Sequence, residues 1–426
     1  MKFTSMGYHT FNIFHKLTLE EGDTLLNDAY DCMKRTGAIR VRPLKKNDDD
    51  YTDEFTDKLS SRSRYFLIEY TKAYKGLSWL LRLTPKSPGF ITTENEDRPC
   101  SIKARINPKP FTGIQEYLAA ANADYLDEVE KRFNTETAKI SPVMGRFEDY
   151  EFNRIDYCIN FSFRELGINC DPLCIMELFK RSNIPKHFYR PYTKNKGAPF
   201  DGKTAGTASL PADDPDLNRF ILFSNSVNIN CYYKYAQLRK DFLGCPDIKD
   251  STDIIRFEVQ CLYPKAYYMS KAIRNRDGFT NLFSEMLSDE TSTGIIVKYF
   301  EKIIRRGDYY SLPEAVKKIQ AHNLSSKVES RLINTLVHIS KCGGIHNAKL
   351  TLVKPELLED FRRSLRELAV LKINPVTIPE GFGISHIPNP LDAYYVKFQE
   401  EEKVAIREEW QLNNLKDCIK EFGYDF

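Results

Sequence analysis

The sequence predicts an α+β fold, in which an antiparallel sheet carries helices on one face and is followed by an α-helical C-terminal region. Three observations lead there. Short runs of period-two alternation recur up to about residue 262, helical periodicity takes over from about residue 280, and the elements of the middle region follow the order β-α-β-β-α-β, a split-βαβ arrangement. The chain divides into 1–145, an N-terminal α+β half, 146–278, a second α+β half, and 279–426, a helical C-terminal domain. Periodicity leaves open whether the halves hold two sheets or share one.

Each element has its own signal. Residues 7–15 read as a strand, and Thr18 with Glu21 forms a capping-box pattern that opens a helix to about Lys34. An acidic loop centred on Asp48, Asp49 and Asp50 follows. Strand-like runs come at 64–71, 76–84 and 99–107, the last alternating as Ser101-Ile102-Lys103-Ala104-Arg105-Ile106 before a proline break, and a helix around 113–133 closes this half. The second half opens with Arg154 to Phe161, a strand with Ile155, Tyr157, Ile159 and Phe161 on one face and Arg154, Asp156 and Asn160 on the other. A helix from Asp171 to Lys180, a basic loop, paired strands at 219–224 and 227–234, a short helix near 235–243, a strand at 253–262 and a helix after Pro264 complete it. Helical patterns then run over Ile295–Arg305, Pro313–His322, Ser326–Cys342 and Pro355–Leu371, with a charged amphipathic stretch at 392–421.

Composition narrows the function classes. With 42% apolar and 12% aromatic residues over 426 positions the chain has ample material for hydrophobic cores, which argues against global disorder. Met1 to Leu17 lacks a basic leader with a long apolar stretch, and no run approaches the ~20 apolar residues that span a bilayer. Ten scattered cysteines without a dense framework fit reduced thiols in the cytoplasm. Cys170 and Cys174 form an isolated pair with no histidine at ligand spacing, which does not make a zinc site. The seven histidines lack a pairing that suggests a hydrolase centre. Gly343-Gly344 sits in no phosphate loop with Lys and Ser or Thr, so no ATP-driven motor is expected and a helicase would have to be a partner.

Charge is informative in its distribution. The net +3 is the difference between 62 basic and 59 acidic side chains, but Lys180–Lys203 holds seven Lys or Arg residues against one acid, Asp201. Phe188, Tyr189, Tyr192 and Phe200 are interleaved with those cations, among them Lys186, Arg190, Lys194 and Lys196. Cations that neutralise phosphates beside rings that stack unpaired bases suit single-stranded nucleic acid. A solvated loop with its rings tucked onto the core accounts for the same residues.

Alternation also gathers chemistry on one face. On 227–234, Val227, Ile229, Cys231 and Tyr233 point one way and Asn228, Asn230, Tyr232 and Lys234 the other; on 253–262, Arg256, Glu258 and Gln260 oppose Ile255, Phe257 and Val259. If these strands are neighbours, Asp156, Glu258, Arg256, Tyr232 and Lys234 converge. Two carboxylates on adjacent strands suit a hard cation such as Mg²⁺ or Mn²⁺. A phenol with a pKa near ~10 is a poor nucleophile at neutral pH, and a divalent ion on the scissile phosphate or a cation beside the phenol oxygen remedies that. A polar face turned to water, with Asp–Arg and Glu–Arg ion pairs, is the competing account.

The segments Asn153-Arg154-Ile155-Asp156, Cys231-Tyr232-Tyr233-Lys234-Tyr235-Ala236-Gln237-Leu238 and Ile255-Arg256-Phe257-Glu258-Val259, in this order, resemble those of the filamentous-phage replication initiator family. They are also similar to the initiators of one class of small Gram-positive rolling-circle plasmids. Cys100 to Gly113 looks like the phage family too, and the resemblance spans roughly residues 100–275. It implies a site-specific DNA nickase that forms a phosphotyrosine link to the 5′ end of the cut strand and leaves a free 3′-OH for a host polymerase. The family's Tyr-x-Lys context matches Tyr232 and Lys234, its acidic strand positions match Asp156 and Glu258 as metal ligands, and Arg154 and Arg256 would contact phosphate. A homodimer is an open state. Asn160 stands where the plasmid initiators tend to carry a further acid, and the His-hydrophobe-His motif of many other nickases is absent. A DNA-binding regulator of a mobile element that kept the sheet and lost the chemistry, or a nuclease using water, are the alternatives, and the sequence does not distinguish plasmid, phage or integrated element.

Overall fold

Thr18 opens the first helix of the computed structural model in both ways a capping box allows: its hydroxyl accepts from the Glu21 amide at 3.1 Å, and its own amide donates to the Glu21 carboxylate at 2.7 Å. The structure describes residues 3–44, 63–71, 76–84, 99–114, 118–190, 218–241 and 246–399. The first half runs β1 (Ser5–Leu17), α1 (Leu19–Thr36), β2 (Ile39–Pro43), β3 (Arg64–Tyr70), β4 (Leu77–Leu83), β5 (Cys100–Ile106), α2 (Pro108–Thr112) and α3 (Leu126–Ile140). The second runs β6 (Glu151–Ser162), α4 (Phe163–Leu166), α5 (Pro172–Lys180), β7 (Arg219–Leu222), β8 (Val227–Tyr233), α6 (Lys234–Asp241), β9 (Ile254–Cys261) and α7 (Tyr263–Arg274). Beyond these lie α8 (Leu282–Met286), α9 (Asp289–Ile303), β10 (Tyr309–Tyr310), α10 (Leu312–Gln320), α11 (Ser326–Lys341), α12 (Ile345–Leu350), α13 (Pro355–Val370), β11 (His386–Ile387) and α14 (Pro390–Gln399).

The two halves share one antiparallel sheet of nine strands in the order β2-β3-β4-β5-β1-β6-β9-β8-β7. Each half lays its first strand beside its last, so β3-β4-β5-β1 and β7-β8-β9-β6 are topologically equivalent, and β1 and β6 meet antiparallel as the seam. The apolar set Ile155, Tyr157, Ile159 and Phe161 of β6 is fully buried against the helices. Phe300 of α9 meets the rings of Phe161, Phe179 and Phe257 at 5.7, 5.7 and 5.2 Å. Burying such a ring is worth about 1.5–3 kcal/mol before pair geometry adds to it. The same continuous core takes in Leu282, Ile296, Ile345, Phe361 and Leu391, so the helices after residue 279 complete the layer under the sheet. α10, α11 and α13 enclose a second, smaller core around Ile319, Leu332, Leu336 and Leu368.

Several elements differ from the sequence expectation. β2 was not expected, because its alternation Ile39-Arg40-Val41-Arg42 is only an edge strand's length before Pro43. The helix expected at 113–133 begins later, as α3 at Leu126, and Gly113, at φ +90°, closes the preceding short helix α2. α6 and the segment around Leu118 leave the helical layer and cover one end of the opposite, polar face, where Leu118, Leu238 and Ile254 pack together. Of the charged stretch at 392–421, only the part within α14 lies among the described residues. No helix among the described residues is long and apolar enough to cross a membrane.

Candidate active site

Register across three neighbouring strands builds the polar face. Asn160 of β6 stands opposite Arg256 of β9, and Arg256 opposite Tyr232 of β8; one step along, Cys158, Glu258 and Asn230 form the next row, and Asp156, Gln260 and Asn228 the third. Pairing of β6 with β9 and of β9 with β8 therefore brings Asp156, Glu258, Arg256 and Tyr232 onto one surface.

The hydrogen bonds on this face are dense. Arg154 grips Asp156 through two bonds, Nε to Oδ1 at 2.6 Å and Nη2 to Oδ2 at 2.9 Å. Gln260 donates to Glu258 Oε1 at 2.7 Å, and the Tyr232 hydroxyl lies 3.4 Å from Glu258 Oε2. Arg256 is wholly enclosed; its Nε donates to Asn160 Oδ1 at 2.7 Å and its Nη2 to the Leu118 carbonyl at 3.2 Å, while its buried Nη1 has no partner. Asn160 donates to that same carbonyl, so the segment around Leu118 roofs this end of the face.

Burial sets the protonation behaviour. Burial first, then the charge of neighbouring Glu258, raises the Asp156 carboxyl to about 6, with Arg154 pulling the other way. Burial also pushes the Tyr232 phenol well above its ordinary value; the Arg256 guanidinium opposes this and Glu258 adds to it. Tyr233 faces away, its hydroxyl donating to the Thr252 carbonyl at 2.7 Å, and burial lifts it to about 12. Tyr235 lies in α6, its ring 5.8 Å from that of Tyr233.

Lys234 does not continue β8 as alternation suggested. The strand ends at Tyr233, and Lys234 opens α6 with its Nζ 5.8 Å from the Tyr232 ring centroid and 2.7 Å from Gln237 Oε1. Arg154 and Arg256, expected to touch phosphate, are turned inward: one is held by Asp156 and the other has no exposed surface, so each serves the electrostatics of the face. Lys186 is exposed, whereas Arg190 is folded back, its Nη2 donating to the Lys180 carbonyl and its guanidinium 5.3 Å from the Phe220 ring. Lys194 and Lys196 lie outside the described residues.

Sequence reasoning passed over His9. The pairing of β1 with β6 shifts register between Tyr8 and Thr10, which makes His9 a bulge residue beside Asp156, the partner of Thr10. Burial, then the charges of Arg256, Lys234, Arg105 and Arg154, hold its imidazole well below the ordinary range, and its Nδ1 shares a hydrogen bond with Thr10 Oγ1 at 3.1 Å. The signal was present: buried Tyr8 and Phe11 are three apart where a regular strand needs two.

Among the described residues no group of three or more His, Cys, Asp or Glu gathers around one point. Asp156 and Glu258 nevertheless fit Mg²⁺ or Mn²⁺, since such ions are commonly held by one or two carboxylates and completed by water and substrate phosphate. A cleft of about 340 Å³ between the end of α1, β2 and α3 has no residue of this face in its lining. No family model matches the chain, and no curated protein matches it.

Proposed function

We propose that this chain is a rolling-circle replication initiator, a nickase-like α+β protein that cuts and rejoins one DNA strand through Tyr232. The observation that carries the reading is one enclosed surface on which a tyrosine hydroxyl lies 3.4 Å from a carboxylate, Glu258, with a second buried carboxylate, Asp156, one row beyond Glu258. In the reaction the Tyr232 oxygen bonds to phosphorus, the bond from phosphorus to the 3′ oxygen breaks, and that oxygen takes up a proton to leave a 3′-OH. The 5′ phosphate stays on Tyr232 until the reverse step reseals the strand. In this reading Glu258 Oε2 takes the phenol proton, Arg256 and Lys234 offset the negative charge that develops, and Gln260 and Arg154 fix the two carboxylates. A divalent ion bound by Asp156 and Glu258 would polarise the scissile phosphate.

The test uses supercoiled DNA carrying the coding region with its flanks, followed by a suicide oligonucleotide from the mapped cut. Cutting with Mg²⁺ or Mn²⁺, loss of cutting on chelation, and a nucleotide on Tyr232 by mass spectrometry are the expected results. Full activity in excess chelator removes the metal assignment, and a product without a covalent adduct assigns the attack to water.

The closed Arg154–Asp156 pair favours a second reading, since a carboxylate already neutralised by a bidentate arginine also suits a DNA-binding regulator of a mobile element without chemistry. In that case binding to the flanking DNA survives while no condition yields a nick.

A further inference from the structure

Buried polar nitrogens without partners are concentrated at one place outside the polar face. The Nε atoms of Arg181, Arg190, Arg305 and Arg362 and Nδ1 of His346 are each shut from solvent and unpartnered. Proteins pair such groups almost without exception, so several at one junction call for an explanation.

The backbone holds them together. The turn after α5 donates from Asn183 N to the Ile303 carbonyl at 3.1 Å and accepts at the Arg181 carbonyl from Ile345 N at 2.9 Å, joining the end of α9 to the start of α12. Gly344 is required there, because a Cβ would stand 2.5 Å from the Arg181 carbonyl oxygen. Arg181, Arg305 and His346 therefore sit on three segments that touch. The remaining links are electrostatic. His346 is lowered by burial and then by Arg190 and Lys349, with the Ile184 backbone opposing; Lys349 is lowered by burial, then by Arg362 and Arg305.

Acid is scarce here. Glu177 is bonded to Lys180 at 2.7 Å and its charge also reaches Arg181 and Arg190, and Glu359 pairs with Arg366 at 3.0 Å and Arg362 at 3.6 Å. Arg181, Arg305 and Lys349 carry no ion pair among the described residues, and all three keep partial exposure. Like charges brought together without acids cost stability, and a phosphate offers several acceptor oxygens and the opposite charge at once.

We propose that this junction, between the turn after α5 and the segments carrying Arg305, His346, Lys349 and Arg362, binds backbone phosphates of the DNA strand. Its chemistry is that of phosphate, and the choice of a DNA strand rests on the proposed function. The basic segment containing Lys186 and Arg190 starts from the same turn, so the junction extends that segment's reach for phosphate toward the C-terminal helices.

The experiment compares Tyr232→Phe protein with the same protein also carrying Arg181→Gln, Lys349→Gln and Arg362→Gln. Tyr232→Phe removes the attacking hydroxyl, so binding is read independently of cutting. Affinity for a mixed-sequence single-stranded oligonucleotide is measured against salt, and the three substitutions should flatten the log–log slope by about two, at about 0.7 per lost contact. Inorganic phosphate should raise the melting temperature of the parent and not of the triple variant. Arg181→Lys, Lys349→Arg and Arg362→Lys together should keep the parent slope. An unchanged slope in a triple variant with a native circular dichroism spectrum overturns the proposal. Phosphate stabilisation lost without any change in slope also overturns it, since the junction then takes free phosphate and no strand. If no adduct ever forms on Tyr232 but the slope falls as expected, the nicking reading fails and the phosphate junction stands.

Discussion

Tyr232 and Tyr233 are adjacent in sequence and opposite in circumstance. The first shares a face with Glu258 and Arg256; the second spends its hydroxyl on the Thr252 carbonyl. Tyr232→Phe should abolish both cleavage and covalent adduct while leaving the melting temperature within a few degrees. Tyr233→Phe should retain cleavage and lose about 1 kcal/mol of stability in denaturant titration, the usual worth of one hydrogen bond. Asp156 gives a pH signature. Its folded pKa of about 6 lies above the ordinary carboxylate value, so the folded state holds this proton more tightly than the unfolded one. The stability it contributes is complete below the unfolded value and is lost as pH rises toward 6. The stability of Asp156→Asn relative to the parent should therefore improve between pH 4 and pH 7. A flat difference across that range would show that Arg154 fully compensates the carboxylate.

Among the elements, β1 does the most to place the site. It is a strand of 13 residues that bulges at His9 and passes Gly7 under the roof, where a Cβ would stand 2.0 Å from the Ala121 carbonyl oxygen. Gly7→Ala should therefore lift the segment around Leu118, remove the carbonyl that Arg256 and Asn160 share, and lower the melting temperature sharply. Thr18→Ala, by contrast, removes one cap and should cost about 1 kcal/mol. Much of this was legible in the chain. The capping box, the alternation of β5, β6, β8 and β9, and the opposition of Tyr232 to Tyr233 all follow from local spacing. What was not legible depended on contacts between distant segments. Lys234 obeyed the start of α6 instead of the strand's period, Arg256 was enclosed by a segment over a hundred residues earlier, and His9 became central only through the register of β1 on β6. Residue types pointed to an acidic, tyrosine-bearing face, but nothing local to Arg154 told whether it would face a phosphate or an aspartate.

At the scale of the molecule, two equivalent half-sheets are joined at β1 and β6, and only the second carries the row of Tyr232, Arg256 and Asn160. The first presents Lys103 and Arg105 on the corresponding face of β5, opposite Phe14 and Asn12 of β1. The seam also governs the order in which the protein can be made. A chain emerging from the ribosome completes β2-β3-β4-β5-β1 by Ile106, yet the inner side of β1 finds its partner only when β6 is released, and β6 in turn waits for β9. Through that interval a long strand displays unpaired amides and carbonyls, the feature that recruits other strands. Chains halted near residue 145 should accumulate as aggregates or remain with chaperones, and chains that extend past β9 and the helices that complete the core, to Leu391, should be released as soluble protein. Ribosome-stalled nascent chains of increasing length, scored for protease resistance, would reveal a single late step after β9. Two separate gains, one for each half, would mean that the halves fold on their own and that the seam closes afterwards.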